Sequence, residues 1–573
     1  MKFRPILLTI SLMLSLSNLF GQGYPKNYFH WPVDTPVIVL GVFGEIRDNH
    51  FHSGIDLSTY QMEGAPVKAA AEGYVSRIKI SADGYGKALY ITHPNGYVTV
   101  YGHLQKFTAA LNEYVRKIQY ERQKFEIDDN LKPNQFKIKQ DEVIAYSGQT
   151  GGASGPHLHF EIRDEKSEEP INPLLFGLPL NDTQAPELKA VRIYPTPGSG
   201  IVNKTDTAMT YEIQTWDNVN MINSPNVILT YGYIGFGISA VDHQDGSTAL
   251  LGIYSVDMTV DGQNAYHWQY DRFNFNDTKE VNAHIDYLTY VRDRLTVERA
   301  FRLPGNHLNI YEDSVKLGTQ YFGEDASHDI KFIVKDFNGN QSFIEFPVVC
   351  YASLYNNPMQ PKDPDGMLVT NSKGVAIHKT KLDVAIPAGA VYDDFWYTDF
   401  ESNSPEYLAN TYRIGSWYEA LDVPITVGIK PEAVIPDSLK PKAIIAEVQQ
   451  YGKLKGRGGK WNGKFLSADV PTFGDYTIVL DTTPPTVVKD YVPADMNSYR
   501  GAVIQYKITD NLSSIKSYTG MVDGKWILFE YDKKNDMLSA DISFLPTNNE
   551  HKVVLTVIDE RGNTTNYTST FWF

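Results

Sequence analysis

The chain has 573 residues, a formal net charge of −16 and a single cysteine, Cys350. This length exceeds what one hydrophobic core supports, so we expect three to five domains. The acidic balance argues against nucleic acid or an anionic membrane surface as a partner. One cysteine excludes an intramolecular disulfide, and its apolar surroundings predict a small buried residue in a strand.

The N-terminus has the layout of a secretory signal peptide, predicted at residues 1–21. Lys2 and Arg4 precede a short apolar run, and Gly21 follows it. The run is shorter than the ~20 residues that a membrane-spanning helix needs, although an uncleaved anchor is the alternative. We expect cleavage near Gly21 and an exported protein, periplasmic or extracellular, without stable membrane insertion. Losing the two positive charges of Lys2 and Arg4 takes the formal charge from −16 to −18.

Residues 24–180 are predicted to form a small domain built on an antiparallel β-sheet. Short β-type runs alternate there with glycine turns, and Asn95-Gly96 predicts a tight hairpin turn. In the strand that follows this turn, His103 shares a face with Thr99 and Tyr101. The alternation therefore predicts that His103 leaves the end of the strand on its polar side.

A helical insertion interrupts this β pattern at residues 107–137. Apolar side chains recur at helical spacing from Leu111 to Phe125, with charged residues between them. The spacing predicts an amphipathic helix at about 109–125, directly after the strand that carries His103.

From Asp182 onward the pattern predicts β-sandwich modules, two of which are copies of one fold. Three pairs of similar segments occur in the same order and end in Asp-Asn or Gly-Asn turns. The paired segments are 182–188 with 481–487, 211–218 with 505–511, and 331–340 with 553–563.

The predicted fold class is mainly β: a small antiparallel β-sheet domain with an inserted helix, followed by about three Ig-like β-sandwich domains. The predicted boundaries are 182–352 for a sandwich with an insertion, 353–366 for a Pro-rich linker, 367–480 for a sandwich-like domain and 481–573 for the last sandwich.

Aromatic residues in the tail suggest two roles. They could line a face that binds glycans or proteins, although packing in strand cores is the favoured explanation. The residues concerned are Trp396, Tyr397, Trp417 and Tyr418.

Five residues in the first third of the chain carry the chemistry: His52, Asp56, His103, His157 and His159. Imidazole and carboxylate are the ligands that zinc prefers when thiolate is absent. His157 and His159 alternate with core residues, so both lie on one strand face, as does Glu161. His52 and Asp56 are four residues apart, which in a strand also gives a common face.

A catalytic zinc site has three protein ligands and an open position for water. Two histidines and one aspartate satisfy this count, which leaves two histidines for proton transfer and stabilisation of an oxyanion. His50 could instead pair with His52, whereas His93 has no partner at matching spacing.

The motifs resemble the three signatures of the lysostaphin-type zinc endopeptidases, which cut peptidoglycan cross-bridges. They are Phe-His-Ser-Gly-Ile-Asp (51–56), Tyr-Gly-His-Leu (101–104) and Gly-Pro-His-Leu-His-Phe-Glu (155–161), and the resemblance extends over residues 40–177. It implies that Zn²⁺ is held by His52, Asp56 and His159. It further implies that His157 is the general base and that His103 positions the water or stabilises the tetrahedral intermediate.

The expected function is that of an exported zinc endopeptidase which hydrolyses the peptide stems or bridges of peptidoglycan. Some members of this family have lost ligands and only bind or activate, but here all five groups remain. The alternatives are a silent wall-binding scaffold that recruits partners through its tail, and an enzyme with a protein substrate outside the wall. We hypothesise that the inserted helix limits substrate entry; a helix merely packed on the sheet is the other interpretation.

Overall fold

The computed structural model describes residues 23–34, 36–224, 226–311, 317–351, 366–491 and 502–573. The predicted signal peptide lies outside these residues, as does nearly all of the predicted linker. Within the described ranges, no helix has the length and hydropathy needed to cross a bilayer. Strands dominate the structure, so the predicted mainly-β fold class is confirmed.

The N-terminal region extends to about residue 180. Its helices are α1 (Ala109–Arg122) and a 3₁₀ turn (Pro173–Phe176). Its strands are β1 (Val39–Gly41), β2 (Ile46–Arg47), β3 (His50–Phe51), β4 (Ile55–Ser58), β5 (Pro66–Lys68), β6 (Gly73–Ile80), β7 (Lys87–Thr92), β8 (Tyr97–Gly102), β9 (Leu104–Phe107), β10 (Ile127–Asn130), β11 (Lys137–Ile138), β12 (Val143–Ser147), β13 (His157–Asp164) and β14 (Pro170–Ile171).

Strand β13 is central in the main sheet, whose order is β1-β4-β13-β8-β7-β6-β10. Leu158, Phe160 and Ile162 are fully buried on its core side, which holds the strand in place. A smaller sheet, β5-β12-β9, lies beside the main one. Because β4 and β8 flank β13, the three strands bring distant motifs of the sequence together.

The inserted segment contains the predicted helix and two short strands. Leu111, Val115 and Ile118 of α1 are buried, and the helix ends at Gln123 with a left-handed φ of 48°. Strands β10 and β11 then pair with β6, so the insertion extends the main sheet at its edge. The contacts described for α1 favour packing against the sheet over a lid on the site.

The second region contains a mixed ten-stranded sheet. Its helices are a 3₁₀ turn (Thr278–Glu280), α2 (Val281–His284) and a π-helical turn (Thr289–Asp293). Its strands are β15 (Glu187–Val202), β16 (Met209–Trp216), β17 (Val219–Ile222), β18 (Ile228–Val241), β19 (Ser255–Val260), β20 (Gln263–Gln269), β21 (Glu298–Arg299), β22 (Gln320–Phe322), β23 (Ala326–Lys335) and β24 (Gln341–Cys350).

The third region contains two five-stranded sheets, β26-β27-β31-β35-β34 and β29-β30-β36-β32-β33, around one core. It has 3₁₀ turns at Lys440–Lys442 and Gln450–Gly452. Its strands are β25 (Met367–Val369), β26 (Val375–His378), β27 (Leu382–Ile386), β28 (Phe395–Tyr397), β29 (Asp399–Ser402), β30 (Thr411–Ile414), β31 (Ile425–Ile429), β32 (Ala443–Val448), β33 (Leu454–Gly456), β34 (Lys460–Asn462), β35 (Phe465–Val470) and β36 (Gly474–Leu480).

Residues 502–573, with β37, make up what we call the C-terminal unit. Its two four-stranded sheets are β37-β38-β42-β41 and β40-β39-β43-β44. It has a 3₁₀ turn at Lys533–Asn535. Its strands are β37 (Thr486–Tyr491), β38 (Val503–Thr509), β39 (Ile515–Val522), β40 (Lys525–Trp526), β41 (Glu530–Asp532), β42 (Met537–Asp541), β43 (Glu550–Asp559) and β44 (Thr564–Trp572).

The two predicted copies share part of their strand order. The second region contains the run β20-β19-β23-β24, and the C-terminal unit contains β40-β39-β43-β44 in the same relation. The remaining strands differ, because β15 lies between β16 and β18 whereas β37 is an edge strand. The predicted domain boundaries in this part of the chain stay predictions.

Two expectations about single residues of the tail have different outcomes. Cys350 is fully buried at the end of β24, as predicted. Among the four aromatics, Tyr397 is buried, but core packing is the wrong explanation for the other three, which are 37–48% exposed. Those three are Trp396, Trp417 and Tyr418.

The C-terminal unit folds back onto the N-terminal region and contacts α1. The rings of Tyr120 and Trp526 meet edge to face, with centroids 5.1 Å apart. Lys87 Nζ lies 2.8 Å from a carboxylate oxygen of Glu530, although 443 residues separate the two. The outer side of the inserted helix is therefore a docking surface for the end of the same chain.

We expect Trp526→Ala to loosen this docking. Aromatic pairs of this kind contribute ~0.5–1.5 kcal/mol beyond the area they bury, so amide hydrogen exchange in α1 should accelerate by about two- to tenfold. Trp572→Ala is the matched control, because Trp572 is 54% exposed on β44. Identical exchange in α1 for both variants would contradict the docking role of Trp526.

Candidate metal centre

Three ligand atoms converge at one point on the N-terminal sheet. His52 Nε2, Asp56 Oδ1 and His159 Nδ1 are each 3.0 Å from the other two. All three residues are buried, at 3–6% exposure. Sequence motifs that are about 100 residues apart thus meet in a single cluster, which could hold a metal ion.

The other ring nitrogens of both histidines are already committed. His52 Nδ1 lies 2.8 Å from the carbonyl oxygen of Val42, and His159 Nε2 lies 2.7 Å from Glu161 Oε1. Since these oxygens only accept, each of these nitrogens carries the proton and donates it. In the neutral rings the nitrogens that face Asp56 present lone pairs. Burial opposes protonation of His159, but Asp56 and Glu161 raise its pKa to about 9, so a positive charge, from a metal ion or a proton, is favoured at this point.

The spacing of these atoms fits zinc. Tetrahedral zinc with bonds of about 2.0–2.1 Å has ligands roughly 3.3 Å apart. The observed edges of 3.0 Å are close to this value. The donor set of two imidazoles and one carboxylate also matches catalytic sites, which leave a fourth position open.

The sheet register explains how Asp56 and His159 come together. His159 on β13 lies opposite Asp56 on β4, and opposite Gly102 on β8. Gly102 has no side chain, so the His159 ring has room; a Cβ at this position would lie 3.3 Å from His159 Cβ. The predicted common face of His157, His159 and Glu161 is consistent with this register.

His52 reaches the cluster by a different route from the one predicted. It lies between β3 and β4, not on one strand with Asp56, so the strand-face argument is wrong although the two residues do converge. The neighbouring ring of Phe51 packs against Tyr270 and Phe273 of the second region, with centroids 5.4 Å apart in both cases. A second hydrophobic core therefore anchors the segment that carries His52.

Glu161 is the centre of a buried hydrogen-bond network behind His159. Its Oε1 accepts from Ser53 Oγ at 2.7 Å and from Tyr85 Oη at 2.5 Å, and its Oε2 accepts from Arg163 Nε at 2.5 Å. Burial alone would raise the pKa of Glu161, but the Arg163 guanidinium and His159 hold it well below its usual range. Glu161 therefore stays charged and fixes the tautomer of His159.

Arg47 is a contributor that the sequence did not indicate. Its Nη2 lies 3.1 Å from Asp56 Oδ2 and 2.9 Å from Glu45 Oε1. This contact occupies the oxygen of Asp56 that does not face the cluster. Burial opposes ionisation of Asp56, but His52, His157 and His159 hold its pKa well below its usual range.

His157 and His103 lie beside the cluster, with ring centroids 4.8 Å apart. His157 Nδ1 is 2.9 Å from Gly155 O, and His103 Nδ1 is 2.9 Å from Thr150 O. Both Nδ1 atoms therefore donate, which leaves both Nε2 atoms as acceptors. His157 Nε2 is 3.4 Å from Asp56 Oδ1, so it points towards the metal position.

The position of His103 corrects the predicted strand face. Tyr101 is fully buried in the core, opposite Phe160 of β13, and is not on a polar side. His103 follows β8 with a φ of 58°, a left-handed conformation that is uncommon outside glycine. This single backbone turn directs the ring away from the core side and towards His157.

The two other histidines considered in the sequence analysis, His50 and His93, lie elsewhere. His50 is exposed on β3, and its Nδ1 is 2.9 Å from Asp48 O. His93 is buried between Glu72 O and Thr99 Oγ1, and burial lowers its pKa to about 4. In the described part of the chain, neither histidine belongs to the converging group, so the alternative pair of His50 and His52 is not supported.

Two family models match this chain. The model of Peptidase family M23 matches residues 50–120 and 126–173, and the model of a Zu5-like domain matches residues 367–481. The chain therefore contains a Peptidase family M23 domain, and the resemblance to lysostaphin-type peptidases is confirmed at this level.

The chain is similar to several known proteins over about a quarter of its length. The DD-carboxypeptidase/endopeptidase Mpg of Neisseria meningitidis is 36% identical over 135 residues, or 23% of this chain and 25% of that protein. The murein hydrolase activator EnvC of Escherichia coli is 29% identical over 162 residues, or 28% of this chain and 31% of that protein. A zinc-containing peptidase of Vibrio cholerae, a crystal structure, is 28% identical, covers 27% of this chain and 41% of that chain, and has a TM-score of 0.20. The chain thus spans under a third of the length of these two curated relatives.

We expect Glu161→Gln to weaken zinc binding. Glutamine keeps the shape but removes the charge that makes His159 a better ligand, and loss of such partners costs roughly 10–100-fold in metal affinity. Competition with a chromophoric chelator measures this change, and circular dichroism checks the fold. Glu165→Gln, at an exposed turn, is the control. Equal zinc affinities for both variants would show that Glu161 does not support the ligand set.

Proposed function

We propose that the M23 domain of this chain is an active zinc-dependent endopeptidase that hydrolyses peptide bonds in peptidoglycan stems or bridges. The observation that carries this proposal is the convergence of three lone pairs beside two further histidines with free Nε2 atoms. The names of the relatives, an endopeptidase and a murein hydrolase activator, support peptidoglycan as the substrate class. Export, to the periplasm or beyond, is part of the proposal.

In this proposal His52, Asp56 and His159 hold the zinc ion. Bound zinc supplies Lewis acidity, which lowers the pKa of a water molecule from about 15.7 to about 7 and polarises a carbonyl group. The protein supplies the fixed tautomers: Val42 O orients one imidazole and Glu161 orients the other. Arg47 keeps the second oxygen of Asp56 away from the site.

His157 is proposed as the general base. Its Nδ1–H donates to Gly155 O, so its Nε2 is free to accept a proton from the attacking water. Its side chain is 12% exposed, more than those of His52 and His159 at 7% and 4%. After accepting the proton, the same nitrogen can donate it to the leaving amine.

His103 is proposed to position the water rather than to stabilise the oxyanion. Burial, together with the nearby His159 and His157, lowers the pKa of His103 to about 3, so the ring is neutral at pH 7. Its single proton is on Nδ1 and is donated to Thr150 O. The Nε2 atom can therefore accept a hydrogen bond from water but cannot donate one to an oxyanion.

A catalytically silent, wall-binding role is the second candidate. The similarity to a murein hydrolase activator favours it, and the exposed Trp396, Trp417 and Tyr418 offer a surface for partners of the tail. The complete set of five groups favours the enzyme. A protein substrate outside the wall is a further alternative for the same active site.

We expect His52→Ala and His157→Ala to fail in different ways on purified sacculi. The His52→Ala variant should lose both zinc binding and hydrolysis. The His157→Ala variant should still bind zinc, but its hydrolysis rate should fall about 10²- to 10⁴-fold. Release of soluble peptides and metal analysis measure the two effects. His50→Ala, at an exposed histidine outside the cluster, should behave as wild type. Equal behaviour of all four proteins would exclude the enzymatic function.

The bond that is cut can be identified by mass spectrometry. Digests of sacculi should contain peptides that have gained one water, with new amino termini inside stems or bridges. A glycine-rich protein offered in parallel tests the third candidate. If that protein is cleaved while the sacculi remain uncut, peptidoglycan is the wrong substrate class, but the proposed hydrolytic chemistry still holds.

A further inference from the structure

Two clusters of aspartates occupy corresponding places in the two repeated parts of the chain. In each cluster, three side chains bring one carboxylate oxygen apiece to within 4.8 Å of one another. We call them the first and the second aspartate cluster. Their members are Asp182, Asp242 and Asp336 in the first, and Asp481, Asp510 and Asp559 in the second.

The same hydrogen bonds hold both clusters. In the first, Asn340 donates from its backbone N to Asp336 Oδ1 at 2.8 Å and from its Nδ2 to Asp336 Oδ2 at 2.7 Å. The Nδ2 also lies 3.2 Å from the carbonyl oxygen of Asp182. In the second, Asn563 makes the same three bonds at 2.8, 2.7 and 2.9 Å. The arrangement is therefore a repeated feature and not a chance grouping of acids.

Both clusters contain buried carboxylate oxygens without a partner. Asp242 is 4% exposed, and its Oδ1 accepts no hydrogen bond. Asp481 is 1% exposed, and its Oδ2 accepts no hydrogen bond. The Oδ1 of Asp510 is a third such atom. Among the described residues, none of the six aspartates forms an ion pair with Lys, Arg or His. Since burial of an unpaired carboxylate is costly, these oxygens point to a missing positive partner.

The first cluster also surrounds a small cavity. All three of its aspartates line a space of about 30 Å³. A sphere of the size of a water molecule needs about 10–15 Å³, so one ion fits. Leu174 and Leu180 of the N-terminal region line the same space.

We propose that each aspartate cluster binds one calcium ion. The side chains of both clusters offer only oxygen ligands. Hard cations such as Ca²⁺ and Mg²⁺ bind oxygen, whereas zinc and copper favour nitrogen or sulfur ligands. Three carboxylates in one site favour Ca²⁺, which takes six to eight oxygen ligands in flexible geometry, whereas Mg²⁺ keeps several waters and is usually held by one or two carboxylates.

Each site lies where one part of the chain is joined to the next. Gln244, two residues after Asp242, hydrogen-bonds Val39 N at 2.8 Å and Val37 O at 3.0 Å in the N-terminal region. In the second cluster, Asn563 Oδ1 accepts from Lys442 Nζ of the third region at 2.5 Å. Bound calcium would therefore fix the orientation of successive regions, on which docking of the C-terminal unit depends.

The test is calorimetric titration of zinc-loaded, calcium-depleted full-length protein with CaCl₂. We expect two ions per wild-type chain, one for Asp242→Asn, one for Asp481→Asn and none for the double variant. Asp206→Asn, at an exposed aspartate, is the control and should bind two. CaCl₂ should also raise the melting temperature of the wild type by a few degrees, more than MgCl₂ does.

Three results would overturn the proposal. They are the absence of binding at millimolar CaCl₂, two ions still bound by either single variant, and an equal thermal shift with MgCl₂. Misfolding is distinguished by the calcium-free melting temperatures. Replacing one of three mutually repelling carboxylates with an amide should leave that temperature at or above the wild-type value. Because the clusters lie outside the zinc site, hydrolysis of sacculi is measured separately and decides only the peptidase proposal.

Discussion

The orientation of the imidazole rings is the constraint on which the candidate metal centre depends. The carbonyl oxygen of Val42 and the carboxylate of Glu161 each accept a hydrogen bond from a ring N–H, so the other ring nitrogens of His52 and His159 face Asp56. Glu161 stays ionised in a fully buried position because Arg163 and His159 are beside it. The candidate metal ligands thus lie at one end of a longer chain of buried, hydrogen-bonded charges.

Much of this arrangement follows from the sequence, because strand alternation has a fixed period of two. It correctly grouped His157 and His159 with Glu161. It failed for His103, because one left-handed residue reverses the direction of a side chain and leaves no trace in the alternation. It failed in another way for His52, whose position depends on Phe51 packing into a separate core.

Long-range contacts were outside the reach of sequence patterns. The repeat was visible, yet the segments 211–218 and 505–511 suggested Asp217 as the counterpart of Asp510. In the structure Asp242 takes that place, and Asp217 is exposed. The inserted helix was predicted, but not the surface that covers it, because that surface comes from strands some 400 residues later. Complementarity between such distant segments has no local signature.

The return of the C-terminal unit links the order of synthesis to the finished site. Lys533 pairs with Asp83 at 3.0 Å, and Lys534 bonds to the carbonyl of Gln149. The loops concerned carry Tyr85, which contacts His159, and Thr150, which holds His103. A chain emerging from its N-terminus completes the ligand motifs long before it makes these lysines. The newborn N-terminal region consequently has its complete ligand motifs while the loops that carry Tyr85 and Thr150 still lack these lysine contacts, which form only when the last part of the chain has been made.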